Sequence, residues 1–231
     1  MSNNLLHDGK GFVCLVVATL AAVMLMAPLA VAGPLAADSN AMPGWHGTQF
    51  FAGSYWGMGM SPFFNADVDY AVYAPGQFEV TFDGADPSEG VDYVYAYQIF
   101  HVGPGTDEPL LQFSVGLDGI AAEGAGVITD FGAGQAPTSA SFSTSGNNPP
   151  TSAVWYYDSP MSLAPGCQSN ILLFTSSAPP EWDTSTLRGT NSTAKTELLP
   201  SPGVPEPAML ILIIAAAGVL GASRPAHRPS A

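Results

Sequence analysis

Hydrophobic and polar residues alternate along several short stretches in the middle of the chain. Phe78, Val80 and Phe82 alternate with polar residues over 76–82, and the same period of two runs over 110–117. This period places neighbouring side chains on opposite faces of a half-buried β-strand. Both stretches are therefore predicted strands. Four further stretches rich in apolar and aromatic residues also favour strands: 67–74, 91–102, 152–158 and 170–176.

Turn signals separate these stretches. In "APGQ", Pro75 and Gly76 favour a tight turn between 67–74 and 76–82, because proline presets φ and glycine readily adopts positive φ. Several short strands without helical periodicity are typical of an antiparallel sandwich or barrel. We expect an all-β domain, an antiparallel β-sandwich with jelly-roll or Greek-key connections.

An apolar run near the N-terminus is typical of a secretory signal peptide. It covers 12–26, and Ala30 and Ala32 then occupy the small-residue positions before Gly33. This order predicts an N-terminal signal helix, removed by signal peptidase between Ala32 and Gly33. The alternative is a retained N-terminal anchor.

Export leaves a single cysteine in the chain. Cys14 lies within the signal peptide, so the exported part keeps only Cys167 and forms no intramolecular disulfide. We expect Cys167 to be buried as a small apolar residue, the alternative being a bond to another chain.

The C-terminal residues combine a Pro-Glu-Pro triplet, an apolar run and basic residues. The run, 208–222, has about 15 residues, whereas a transmembrane helix needs about 20. Basic residues after it hold that end in the cytoplasm. The prolines keep the chain extended just before the run. The candidate processing residues are Val204, Pro205, Glu206, Pro207, Arg224 and Arg228.

This order resembles the PEP-CTERM sorting signal of Gram-negative bacteria, over about the last 28 residues. The resemblance implies processing near the triplet by an exosortase, a membrane transpeptidase-like enzyme. An inner-membrane intermediate and delivery to the cell surface or extracellular matrix would follow. The exported part is also loosely similar to ectodomains of such proteins, notably over 69–78, 93–100 and 162–180, which implies no activity. The alternative is a plain C-terminal membrane anchor.

Four regions follow from these patterns. They are a signal peptide (1–32), an exported β-sandwich (33–185), a flexible stalk (186–204) and the sorting cassette with its short transmembrane helix (205–231).

The exported part is strongly acidic. The whole chain carries a formal charge of −14, and seventeen acidic residues lie between Gly33 and Pro205 beside only Arg188 and Lys195. Such a surface repels nucleic acid, so we expect no nucleic-acid partner.

One loop concentrates carboxylates and suggests a calcium site. Hard carboxylate oxygens suit calcium, although the spacing does not match an EF-hand, and the alternative is a solvated acidic loop. The candidate ligands are Asp83, Asp86, Glu89 and Asp92. We expect no other cofactor.

The chain contains no zinc-protease, nucleophile-elbow or phosphate-loop motif, and we expect no enzyme. Exposed tryptophans stack on sugar rings, although aromatic residues more often belong to the core. Candidate stacking residues are Trp56, Trp155 and Trp182. The leading hypothesis is a surface protein with a structural or interaction role. The alternatives are a module that binds extracellular polysaccharide and, less favoured, a secreted hydrolase.

Overall fold

The computed structural model describes residues 35–54, 63–82, 86–117, 125–144, 150–194 and 197–203. Within these residues the chain is built almost wholly of strands. They are β1 (His46–Ser54), β2 (Phe64–Tyr73), β3 (Tyr93–Phe100), β4 (Leu110–Gly116), β5 (Ala125–Phe131), β6 (Ser139–Thr144), β7 (Pro150–Tyr156), β8 (Ile171–Ser176), β9 (Pro180–Gly189), β10 (Thr193–Ala194) and β11 (Glu197–Pro202), with one short helix, α1 (Phe78–Thr81).

All the strands belong to one antiparallel sheet. Its order is β5-β8-β3-β2-β1-β10-β9-β4-β7-β6, and β11 pairs with β9 beside this path. The prediction of an antiparallel all-β domain is confirmed. We expected a sandwich of two sheets, but the single sheet is nearly closed into a barrel. The reason is that β10 pairs with both β1 and β9, which joins the strands on either side of it into one sheet.

Side chains bridge the place where the sheet does not close. The strands β5 and β6 stand at the two ends of this path and lie near each other. The indole N–H of Trp155, on β7, donates to the carbonyl of Thr129, on β5, over 3.3 Å. Phe142 on β6 contacts Phe174 on β8, with ring centroids 6.2 Å apart. The two edges are therefore held by side chains instead of a backbone ladder.

Aromatic side chains fill the interior of the sheet. The ring of Tyr97, on β3, lies 5.7 Å from that of Phe113 and 6.1 Å from that of Phe174. Trp155 stacks on Phe113 at 5.7 Å. All four side chains are fully buried, and such residues dominate core energetics because each removes a large apolar area from water.

A second apolar cluster covers the outer face of β2, β3 and β8. The turns at 35–45 and α1 pack there, with Leu35 and Phe78 fully buried. The phenolic hydroxyl of Tyr73 donates to a carboxylate oxygen of Asp38 over 2.7 Å. The fold therefore already includes Leu35, two positions after Gly33.

The strand predicted at 76–82 is wrong. Pro75 and Gly76 do form a turn, with Gly76 at φ +74° and the amide of Gln77 bonded to the carbonyl of Ala74. The chain then makes the single helical turn α1. The rings of Phe78 and Phe82 lie 4.8 Å apart, whereas Val80 is 64% exposed. Burial at a spacing of four residues fits a helical turn and not a strand.

The flexible stalk predicted at 186–204 is also wrong for the residues described there. The hairpin partners β9 and β10–β11 lie within the sheet, with Leu198 opposite Thr184 and Pro202 opposite Pro180. Ser201 is fully buried. The small polar side chains had indicated a spacer, but they alternate between the two faces of a paired strand. The folded domain therefore extends to Gly203 and does not end at 185.

The strands expected at 67–74, 91–102, 110–117, 152–158 and 170–176 are confirmed as β2, β3, β4, β7 and β8. The part of the chain that the structure describes has no helix whose length and apolar character suffice to span a membrane.

Candidate functional site

The predicted processing residues lie outside the described residues. This applies to the signal peptidase site and to the whole sorting cassette: Ala30, Ala32, Gly33, Val204, Pro205, Glu206, Pro207, Arg224 and Arg228. The structure does describe the domain between them. Leu35 and Gly203 are both buried, so the described fold begins and ends close to the two predicted signals in the sequence.

An aromatic cluster lies at the surface and joins three distant parts of the chain. Trp45 and Trp182 stack with ring centroids 5.1 Å apart and planes inclined by 27°. Tyr70 meets Trp182 edge to face at 5.7 Å. Trp182 is 45% exposed, and Trp45 and Tyr70 are half-buried. Burial raises the pKa of the Tyr70 hydroxyl. The cluster therefore presents one indole to solvent on a rigid aromatic support.

The cluster lies where two strands separate. Strand β1 pairs with β10 at Gly53 and Ser54, but its earlier residues do not pair with β11. Pro200 and Pro202 in β11 have no N–H to donate to a further strand. Side chains connect the separated strands instead, since the Gln49 amide donates to the Glu197 carboxylate over 3.4 Å.

A glycine allows Tyr70 to reach this position. A Cβ atom on Gly47 would lie 2.9 Å from the hydroxyl oxygen of Tyr70, closer than such contacts allow. Gly47 and Tyr70 are register partners in the β1–β2 ladder. The tyrosine therefore crosses over β1 toward Trp182 because the partner residue has no side chain.

Only one of the predicted stacking tryptophans is exposed in the described structure. Trp182 is exposed as required, and Trp56 lies outside the described residues. The assignment of Trp155 to a binding surface is wrong, because its side chain is fully buried among core aromatic rings. Sequence reasoning did not assign Trp45 or Tyr70 to the site, and their distance along the chain from Trp182 gave no signal for it.

The acidic loop forms a turn that is stabilised by its own side chains. One carboxylate oxygen of Asp86 accepts hydrogen bonds from the amide and the hydroxyl of Ser88, both over 2.8 Å. The amide of Asp92 donates to the same hydroxyl over 3.2 Å. Glu89 adopts a positive φ of 55°, and Asp83 lies outside the described residues.

Calcium binding in this loop stays a prediction. Across the described ranges, no three His, Cys, Asp or Glu side chains gather into a group that could hold a metal ion. Asp86, Glu89 and Asp92 therefore do not form such a group by themselves.

The two histidines of the domain have structural surroundings. His101 is buried, and its Nδ1 donates to the carbonyl of Leu163 over 3.2 Å. Burial lowers the pKa of His101. His46 donates from Nδ1 to the carbonyl of Ala36 over 2.9 Å. Both rings thus hold neighbouring backbone segments in place.

Cys167 is exposed, so the expectation of a buried thiol is wrong. It lies in a loop whose backbone is bound to β3, since the amide of His101 donates to the Cys167 carbonyl over 3.0 Å. The polar backbone of the loop is satisfied there while the side chain points to solvent.

The chain matches no known family model, no curated protein and no solved structure.

Proposed function

We propose that the protein is exported, processed by an exosortase and displayed at the cell surface or in the extracellular matrix. In this proposal a signal peptidase cuts after Ala32, and the apolar run at 208–222 holds an inner-membrane intermediate. The order of the signal peptide and the VPEP cassette supports this. The extent of the fold, from Leu35 to Gly203, also supports it, because the processed protein would be almost entirely folded domain.

The glutamate of the Pro-Glu-Pro triplet offers a direct test of this proposed processing. Glu206→Ala should leave export and signal-peptide removal intact but stop C-terminal trimming, so that the product keeps its apolar segment. Glu79→Ala, at an exposed carboxylate on α1, is the matched control and should mature normally. Equal intact masses for Glu206→Ala and wild type would disprove the role of Glu206.

The domain itself has an interaction role in this proposal, and the aromatic cluster is its contact surface. The observation that carries this is Trp182, 45% exposed and stacked on Trp45 at 5.1 Å. A large apolar ring at the surface loses little conformational entropy on binding, because its neighbours already fix its orientation.

The ligand class that fits best is an extracellular polysaccharide. The flat C–H faces of pyranose rings pack against an indole, and an extended sugar chain suits a surface platform. The acidic chain, with its formal charge of −14, repels anionic polymers and so favours a neutral or cationic glycan.

The binding surface is tested by retention of the exported protein on matrix polysaccharide. Trp182→Ala should weaken retention by about tenfold, which corresponds to about 1.4 kcal/mol. Phe50→Ala is the matched control, because Phe50 is a 50% exposed aromatic residue on β1 outside the cluster. If both variants bind like wild type, Trp182 is not the contact; if wild type is not retained, the polysaccharide role fails.

A further inference from the structure

Positive and negative charges are unevenly distributed along β9, the strand that carries Trp182. Glu181 and Asp183 stand on either side of this residue in the sequence, and both are half-buried. Arg188, the one arginine or lysine in the part of the chain that the structure describes, lies six positions further along the strand. At about 3.3 Å per residue this is about 20 Å, more than two Debye lengths at physiological ionic strength. Trp182 is therefore close to two carboxylates and distant from this guanidinium.

Carboxylates also lie on the strands beside the rest of the aromatic cluster. Asp69 precedes Tyr70 on β2, and it accepts a hydrogen bond from the Thr48 hydroxyl over 2.6 Å. Glu197, on β11, lies where β1 and β11 separate, and the Gln49 amide donates to it over 3.4 Å. Hydroxyl and amide donors are uncharged, so these two bonds do not neutralise the carboxylates.

The carboxylates of Glu181 and Asp183 act on a ligand through their electric field and not by contact with a ring stacked on the indole. Successive side chains of a strand point to opposite faces, so both lie on the face opposite Trp182. Their Cα atoms are each about 3.8 Å from that of Trp182, well within the Debye length of about 8 Å at physiological salt. A charge on a ligand at the indole therefore interacts with them.

The indole itself favours a cation. The face of an aromatic ring is the negative part of its quadrupole, and tryptophan attracts cations best. Trp182 offers this face to solvent at 45% exposure. A neutral sugar would gain only from stacking, and the carboxylates would repel an anionic one. A sugar that carries an ammonium group gains from the ring and from the carboxylates together.

We infer that the ligand of the aromatic cluster is a polysaccharide of amino sugars whose amines are free and positively charged. This inference rests on the proposed polysaccharide role and names the class of polymer. The flat face of one pyranose ring stacks on Trp182, and its ammonium group lies in the negative field of the flanking carboxylates. The formal charge of −14 of the whole chain attracts the rest of a cationic polymer.

Two oligosaccharides with the same rings test the charge of the ligand. A glucosamine hexamer and an N-acetylglucosamine hexamer differ only in whether their amines are free. The exported protein should bind the first about tenfold more tightly at 0.1 M salt. The difference should shrink at 1 M salt, because the Debye length falls from about 10 Å to about 3 Å. Equal affinities at 0.1 M salt, or no binding of either hexamer, would overturn the inference. Equal affinities that Trp182→Ala weakens alike would leave the polysaccharide role intact.

A lysine hexamer separates recognition of an amino sugar from attraction to any polycation. It carries the same number of charges but has no pyranose ring to stack. We expect it to bind more weakly than the glucosamine hexamer, and Trp182→Ala should weaken binding of the sugar more than binding of the peptide. A lysine hexamer that binds as tightly as the sugar would overturn the inference in favour of a cationic peptide.

A pair of matched variants tests the carboxylates beside the cluster. Asp183→Asn should weaken binding of the glucosamine hexamer about twofold, as expected for a partly exposed charge. Asp158→Asn removes the same charge from an exposed position near the Arg188 end of the sheet, since Tyr156 pairs with Gln112 and Gln112 with Arg188. It should bind like wild type. Equal losses in the two variants would show that the carboxylates near Trp182 do not select the ligand, and would overturn the inference.

Discussion

The phenolic hydroxyl of Tyr97, on β3, donates to the backbone carbonyl of Pro200, on β11. Tyr97 is buried at the centre of the aromatic core, and burial raises its pKa. The bond connects β3 to β11 and supplies a partner for a carbonyl of β11, which among the described residues pairs only with β9. It fixes the strand that precedes the predicted sorting motif.

Removing this hydroxyl should destabilise the folded domain. Tyr97→Phe leaves the Pro200 carbonyl without its partner, and an unsatisfied buried polar group costs about 1–3 kcal/mol. Urea denaturation measures the change. Tyr156→Phe, at a half-buried tyrosine on β7, is the control and should change stability by less than about 0.5 kcal/mol. Equal stabilities for the two variants would contradict a structural role of the Tyr97 hydroxyl.

The contact between Asp38 and Tyr73 should make stability depend on pH in the acid range. Burial acts to raise the pKa of Asp38, but hydrogen bonds from the Asn40 amide and the Tyr73 hydroxyl outweigh it, and the pKa is lowered. A carboxyl group with a lowered folded-state pKa stabilises the fold above its unfolded value of about 3.9. That stability is lost as the pH falls through the folded-state pKa.

The variant Tyr73→Phe tests this pair. At pH 7 it should cost about 1.5–3 kcal/mol, as expected for a hydrogen bond to a charged group. The difference from wild type should shrink as the pH falls through the lowered folded-state pKa of Asp38, where the carboxylate takes up a proton. Unfolding free energies measured from pH 7 down to about pH 2 decide the matter, and a difference that stays constant over this range would show that the carboxylate is not involved.

The two described tryptophans of the predicted stacking set should respond oppositely to truncation. Trp155→Ala removes a fully buried ring and its bond to Thr129 at the sheet edges, so we expect a loss of about 3–5 kcal/mol. Trp182→Ala, at an exposed ring, should cost much less stability. Thermal and urea unfolding compare them, and a larger loss for Trp182 would mean that the aromatic cluster chiefly holds β9 against β2 and the residue before β1.

The thiol of Cys167 should react in the native protein. It is exposed, and the other cysteine of the sequence, Cys14, lies in the predicted signal peptide. A disulfide-exchange reagent should therefore label one thiol per chain without denaturant, and Cys167→Ser should abolish the signal. Labelling only after unfolding would show that the side chain is covered in solution.

The local patterns predicted much of the sheet but not its closure. Alternation over 110–117 is sufficient to predict β4, because one face of that strand meets the core and the other meets water. The same alternation over 76–82 misled, because Phe78 and Phe82 reach a common apolar cluster through one helical turn. In a short stretch, apolar residues that recur every two positions also recur every four, so the pattern does not distinguish a strand from a helical turn.

The end of the domain and the aromatic site depend on pairings between distant residues. The polar stretch before the predicted sorting motif belongs to the sheet because β9 and β4 provide its hydrogen-bond partners. Its own composition does not indicate those partners. Trp45, Tyr70 and Trp182 come together through the register of three strands. Sequence alone therefore identified Trp182 as a candidate but not its neighbours.

The most direct test of the proposed localisation compares hosts with and without an exosortase. With the enzyme, the wild-type protein should be found at the cell surface or in the matrix, without its C-terminal apolar segment. Without the enzyme, it should accumulate in the inner membrane with a mass larger by that segment. The same mass and location in both hosts would contradict the account.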